Sequence, residues 1–156
     1  MLTYLKAVRI VMDMGLNVHF DWYGDKVHYA AYYAEIETEY QRLDVADYPT
    51  LHDPNQNIEE EYRKSDMFCL PSLFEGYPNV VAEAMSCGLP ILCSNVYENP
   101  YIVEEGVNVF LFDPNKPEDI AGAISKMLCL THMKNGKKWE SVIVNYAWSA
   151  TPKMLS

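Results

Sequence analysis

One four-residue run, Met67-Phe68-Cys69-Leu70, constrains the fold of this chain more than any other stretch. It is followed by a short loop and then by a helical pattern that Pro78 opens. A segment apolar at every position has to be buried on both faces, which is the condition of an inner strand in a parallel sheet. Strand, loop and helix start in that order leave unpaired backbone N–H groups and the positive end of a helix dipole above the sheet. Two carboxylates, Glu75 and Glu83, flank the helix start with seven residues between them. Carboxylates are poor partners for phosphate but good acceptors for the hydroxyls of a sugar or ribose. An anion cradle with hydroxyl acceptors beside it suits a nucleotide-sugar pocket.

The rest of the chain alternates strand and helix patterns around that unit. Leu5, Val8, Val11 and Met12 give residues 2–14 helical spacing, with Gly15 as the stop. Val18 to Tyr23 alternates and is rich in β-formers, closed by Gly24-Asp25. Tyr29, Tyr32, Tyr33, Ile36, Tyr40 and Leu43 recur at three- and four-residue steps, so this tyrosine stripe reads as a helix face packed on the sheet rather than a sugar-stacking platform. A short strand is expected near Tyr48–Leu51. Asn57 and Glu60 resemble a capping box opening a helix to Lys64. The helix after Pro78 should end at Ser86 or Cys87, with Gly88 behind it. A strand at Pro90–Ser94, a short helix at Glu98–Glu105 and a strand at Asn108–Phe112 come next. Pro117 then opens a helix whose core face is Ile120, Ala123, Ile124, Met127 and Leu128. The pattern predicts a last amphipathic helix over 132–147 and the start of another from Trp148.

Alternation of this kind means a parallel sheet covered on both sides, a Rossmann-like three-layer α/β/α fold. Ligands of such sheets bind beyond the C-terminal strand ends. Gly24, Ser72, the 73–79 loop, Asn95, Val96 and Tyr97 all fall there.

Composition removes several function classes. A net charge of −10 argues against a nucleic-acid or anionic-membrane surface. The apolar runs are too short for membrane insertion, and no signal-peptide pattern opens the chain. Four cysteines, two of them inside predicted strands, show no zinc spacing and read as reduced thiols of a cytoplasmic protein. The four histidines are scattered with no HExxH arrangement, so a zinc or hydrolytic metal site is not expected, and no cofactor is called for. No GxG fingerprint and no phosphate-binding GxxxxGK[ST] loop occurs. Taken singly, Glu75, Gly76, Pro78 and Glu83 fit a plain strand-to-helix connection. Taken together they are harder to dismiss, because a carboxylate inside a helix of small residues close to the sheet needs a partner. A glycosidase acid pair would use two carboxylates but leaves the anion cradle unexplained.

FEGYPNVVAEAMSCGLPILCSN resembles the E-x7-E signature of the family 4 retaining glycosyltransferases with the GT-B fold. LTYLKAVRIVMDMGLNVHFDWYG, SDMFCLPS and IVEEGVNVFLFDPNKPEDIAGAI are similar to other parts of that family's C-terminal, nucleotide-sugar-binding lobe. The resemblance implies one half of a GT-B fold spanning 1–156, with its first strand and acceptor lobe missing from the N-terminal side. It implies that Glu75 acts as the catalytic-site residue on the transferred sugar and Glu83 holds the ribose. Gly76, Tyr77, Pro78, Asn79, Val80 and Val81 would meet the diphosphate and sugar, beside Ser72, and Gly24 would admit the nucleotide. The donor would be a UDP- or GDP-sugar, used without metal and with retention, and the acceptor a glycan or lipid-linked glycan in bacterial surface-polysaccharide synthesis. The parent enzyme would be cytoplasmic or peripheral to the inner membrane face, and this piece alone inactive.

Departures from the family pattern set further expectations. Lys6 and Arg9 lie within the first helix, away from the place of the family's diphosphate-binding cations. Val109 stands where glycine is usual, and would be strained at positive φ. A sheet lacking its first strand should expose apolar surface and self-associate. A sugar-nucleotide epimerase and a non-catalytic transferase-derived binding domain are the alternatives. Product analysis and the presence of an acceptor lobe distinguish them.

Overall fold

The computed structural model describes residues 2–16, 18–24, 30–45, 49–74, 79–96, 109–135 and 141–145, with only the backbone path at 30–32, 131–135 and 141–145. Its elements run α1 (Leu2–Asp13), β1 (His19–Tyr23), α2 (Ala30–Leu43), β2 (Pro49–His52), α3 (Ile58–Lys64), β3 (Met67–Leu70), α4 (Asn79–Ser86), β4 (Ile91–Ser94), β5 (Val109–Phe112), α5 (Pro117–Asn135) and β6 (Ser141–Asn145). The six strands form one sheet in the order β2-β1-β6-β3-β4-β5. Every pairing is parallel.

Successive side chains of a strand point to opposite faces, and the sheet uses both. Met67 and Cys69 of β3 join Phe20, Trp22, Leu92 and Phe112 in a core with α1, α2 and α5. Phe68 and Leu70 join Ile91, Cys93 and Val109 in a second core with α3 and α4. The three-layer α/β/α expectation holds. All four β3 residues are buried, as a run without polar positions requires.

Local signals account for most boundaries. Gly15 and Gly88 take φ of 71° and 79° just past the ends of α1 and α4, a conformation that glycine adopts at no steric cost. Ile36 and Tyr40 face the first core, as the tyrosine stripe predicted; Tyr29 and the Tyr32 side chain lie outside the described residues. Ile120, Ala123, Ile124, Met127 and Leu128 are the buried face of α5.

Three expectations are corrected. The helix predicted over 132–147 is absent: α5 continues to Asn135, and Ser141–Asn145 is a strand. Val142, Ile143 and Val144 are β-branched and lose rotamer freedom in a helix, whereas the place between β1 and β3 offers two hydrogen-bonded ladders. β6 lies in that place, between β1 and β3. Val109 is no strained turn residue. It opens β5 opposite Ile91, and Asp44 is the one non-glycine residue at positive φ among those described. Asn57 makes no side-chain cap on α3; its amide Nδ2 donates instead to the Glu60 carboxylate at 2.6 Å. The expected helix at 98–105 and the segment from Trp148 lie outside the described residues.

All four cysteines are free, and two of them, Cys69 and Cys93, are buried. Burial pushes the Cys69 thiol far up, so it is an inert core group. The Tyr4 and Tyr40 hydroxyls are buried without a conventional partner. That of Tyr4 lies beside the Cys69 sulfur, a weak acceptor. Burial raises both tyrosine pKa values. Removing a buried hydroxyl that has no partner leaves stability unchanged or raises it by about 1 kcal/mol. Urea denaturation of Tyr4→Phe and Tyr40→Phe should therefore match or exceed the parent. Phe68→Ala, which empties the second core, should lose about 3–5 kcal/mol.

Candidate functional site

Strand order reverses between β6 and β3: β1 and β2 lie on one side, β3, β4 and β5 on the other. In open parallel sheets that reversal opens a crevice at the C-terminal strand ends. Its described rim is Gly24 after β1, Ser72 after β3, the start of α4, and Asn145 at the end of β6. Pro71 and Ser72 are buried and carry the chain over the sheet edge, and Leu73 and Phe74 emerge into solvent. Glu75, Gly76, Tyr77 and Pro78 lie outside the described residues, and with Glu75 one half of the expected carboxylate pair.

α4 begins at Asn79 and carries no acidic residue in its first turn. α1 and α2 likewise have none there, whereas of the described helices on either side of α4 in the chain, α3 opens with Glu59, Glu60 and Glu61, and α5 with Glu118 and Asp119. Its N–H groups and dipole are thus the least neutralised of these three. Val81 and Ala84 face the second core, Val80 is half-buried and Asn79 exposed. Glu83 is exposed, contrary to the expectation of a carboxylate packed against the sheet. It lies about 200° around the helix axis from Val81, so burying one turns the other outward. A solvated carboxylate needs no protein partner.

Gly24 has a packing reason of its own. Its N–H donates to the His52 carbonyl at 3.2 Å, tying the end of β1 to β2. A Cβ there would sit 3.0 Å from the Tyr33 hydroxyl oxygen and 3.5 Å from the indole nitrogen of Trp22. Arg9, set aside in the sequence reading, is engaged by Asp13 and by the Asp44 carbonyl at 3.4 Å.

The structure assembles two clusters that linear spacing did not reveal. Parallel pairing of β1 with β2 brings His19 and His52 to the same Asp21 oxygen, at 3.4 and 2.7 Å, with Thr50 Oγ1 3.1 Å from His19. Tyr23 stacks on His52 with ring centres 4.6 Å apart. Burial and the nearby Glu61 and Asp21 charges push the Tyr23 phenol up to about 12. Both imidazoles close onto one carboxylate oxygen, and no metal-holding group occurs among the described residues. The i, i+2 spacing of His19 and Asp21 hinted at a shared face; the strand register needed to add His52 was not readable.

The second cluster is an open cleft of about 420 Å³ beyond β4 and β5, lined by Asn95, Val96, Asp113, Asn115, Asp119 and neighbouring apolar side chains. Asn95 and Val96 were expected at a strand end; Tyr97 lies outside the described residues. The cleft acids are already used. Asp119 accepts the Asp113 N–H at 2.7 Å, and Asp113 accepts the Asn115 N–H at 3.0 Å and pairs with Lys116 at 3.3 Å. The Asn115 N–H is the main reason the Asp113 carboxyl lies below its usual range. The cleft is a braced turn at the foot of α5.

Comparison with known proteins places this geometry in a class. Residues 1–129 match the family described as glycosyl transferases group 1, and the chain belongs to that family. No curated protein sequence matches the chain. Among solved structures, it is similar to a glycosyltransferase from Rickettsia africae (TM-score 0.77, 15% identity, 86% of this chain and 35% of that one). It is also similar to sucrose-phosphate synthase from Thermosynechococcus elongatus (0.69, 23%, 86% and 36%). A third similar structure is HepE of Anabaena in complex with UDP (0.66, 17%, 83% and 44%). The fold is that of one GT-B lobe, and the chain spans between about a third and under half of the length of these three structures.

If close packing against Tyr33 explains Gly24, Gly24→Ala should cost below about 1 kcal/mol, as a contact tight by a few tenths of an ångström does. The cost should disappear in a Tyr33→Phe background, read by thermal unfolding of the double-mutant cycle. An equal cost in both backgrounds would place the constraint elsewhere.

Proposed function

We propose that this lobe binds the nucleotide-sugar donor of a retaining glycosyltransferase and hands the sugar to a glycan or lipid-linked acceptor held by another part of the enzyme. The observation that carries this reading is the β3–α4 unit at the strand-order reversal. The first turn of α4 carries no acidic residue, and the unit lies in the stretch that resembles the E-x7-E signature. Transfer breaks the bond between sugar and diphosphate, and negative charge builds up on the leaving group. Backbone N–H groups and the dipole at a helix start stabilise such charge without a metal.

In this reading the helix start around Asn79, Val80 and Val81 faces the diphosphate. Glu75 takes hydroxyls of the transferred sugar and Glu83 those of the ribose. The exposure of Glu83 suits the second role, since an ionised and solvated carboxylate is free to accept two hydroxyl hydrogens when a ribose arrives. UDP is favoured over GDP because HepE of Anabaena was solved with UDP. We place the parent enzyme in the cytoplasm or on the inner membrane face, in bacterial surface-polysaccharide synthesis; no described helix is long and apolar enough to cross a membrane.

Calorimetric titration with UDP, GDP and a UDP-sugar tests the assignment. UDP should bind weakly and saturably. Glu83→Ala should weaken it by roughly two- to ten-fold, the net worth of one hydrogen bond exchanged with water. Glu75→Ala should leave UDP binding intact and abolish any advantage of the UDP-sugar over UDP. The lobe alone should show no transfer, because chemistry needs the donor enclosed and water excluded. Absence of nucleotide binding at millimolar concentration would overturn the reading for this chain.

A further inference from the structure

Asp21 has no part in the function proposed for this lobe, and its place in the fold is a costly one for a carboxylate. β1 runs between β2 and β6, and inner strands of parallel sheets are ordinarily apolar. Phe20 and Trp22 point into the first core, so Asp21 points to the opposite face, with 25% of its side chain exposed. A carboxylate so placed needs hydrogen-bond donors. Two imidazoles reach it, His52 the nearer at 2.7 Å and His19 the farther at 3.4 Å.

We propose that Asp21 is a positioning residue of the donor pocket: it fixes His52, and His52 seats Gly24 at the rim of the crevice. The role in the pocket rests on the donor-binding reading, whereas the linkage itself does not. Two links leave His52 in different directions. Its Nε2 lies against Asp21 Oδ1, and a carboxylate only accepts, so the nitrogen donates. Its carbonyl accepts the N–H of Gly24, one residue past the end of β1, at 3.2 Å. The register sets Asp21 opposite Thr50 and Tyr23 opposite His52, so the imidazole link runs diagonally from the middle of β1 to the last residue of β2. Tyr23 stacks on the imidazole, and its hydroxyl donates to Glu61 of α3.

β2 ends the sheet with β1 as its one strand neighbour, and the end of an edge strand opens easily. Without the clamp, the carbonyl that holds Gly24 would sit on the loosest stretch of the ladder. The exposed residues Asp53 to Asn57 come next, so the same clamp sets where the β2–α3 connection leaves the sheet. A ligand that needs Gly24 and this connection in place binds in proportion to the fraction of chains that have them there.

Asp21→Leu and Asp21→Asn, each titrated with UDP by calorimetry, test the role. Leucine matches the carboxylate in size but accepts nothing, whereas asparagine keeps an acceptor oxygen and loses the charge. Removing a negative charge near an anion site favours the anion, so electrostatics alone would make both variants bind more tightly. Asp21→Leu should instead weaken UDP about three- to ten-fold. Asp21→Asn should restore the parental affinity or exceed it. In the nucleotide-free chain the Gly24 amide should exchange about ten-fold faster in Asp21→Leu, the loss of one hydrogen bond to a charged group, and close to the parental rate in Asp21→Asn. Thermal unfolding of Asp21→Leu should be unchanged or raised, because an apolar residue suits an inner strand. Unchanged or tighter UDP binding by Asp21→Leu would overturn the proposal, as would equal weakening in both variants. A fall in unfolding temperature that tracks the lost affinity would overturn it too, by making the clamp merely structural. If the unsubstituted chain binds no UDP, the donor reading and the role of Asp21 in it fall together. The exchange of the Gly24 amide still decides whether Asp21 holds Gly24 through His52.

Discussion

The double ladder of β6 is the interaction on which the rest of the sheet depends. Without it, β1 and β2 would share no strand neighbour with β3, β4 and β5. A parallel pair needs both faces covered, and each half already sends side chains into both helical layers, so β6 joins two halves that share the same covers. With β6 in place, α1, α2 and α5 cover one continuous face and α3 and α4 the other. The same strand marks where strand order reverses, so what unites the sheet also locates the crevice.

Charge poses a second constraint. The chain carries a net charge of −10, whereas a nucleotide-sugar is an anion. Many described cations are held by acids a turn away. Arg42 pairs with Glu39, Arg63 with Glu59, Lys64 with Glu61 and Lys116 with Asp113. Exposed pairs of this kind contribute little to stability and neutralise charge locally. In the proposed reading, backbone dipoles attract the anion at short range, and the first turn of α4 is free of the acids that crowd α3 and α5.

How much was legible in the sequence follows from which forces were local. Met67–Leu70 announced an inner strand because four apolar positions in a row leave few other options. Gly15 and Gly88 marked helix ends because their φ values demand glycine. The buried face of α5 was readable from its period. Residues 141–145 were misread because a short apolar run fits a helix face or an inner strand equally well, and only the vacant place between β1 and β3 decides. Likewise, His19 and His52 meet at Asp21 through a strand register that no linear spacing encodes. For the site, the position of the β3–α4 unit was readable, and the exposure of Glu83 was not. It depends on which stripe of α4 meets the second core, and Val81 with Ala84 sets that.

An exposed Glu83 bears on how a lobe of this kind would recognise its donor. In the proposed reading, a ribose arriving at Glu83 exchanges hydrogen bonds with water for hydrogen bonds with the carboxylate, and the net gain of such an exchange is small while the site stays wet. The same contact strengthens once water is shut out and the local dielectric falls. In the proposed reading this lobe supplies position and charge, and another part of the enzyme supplies enclosure. On that reading, binding by the lobe alone is weak for a physical reason, and transfer is tied to closure because excluding water strengthens the contacts of a solvated carboxylate and a helix start.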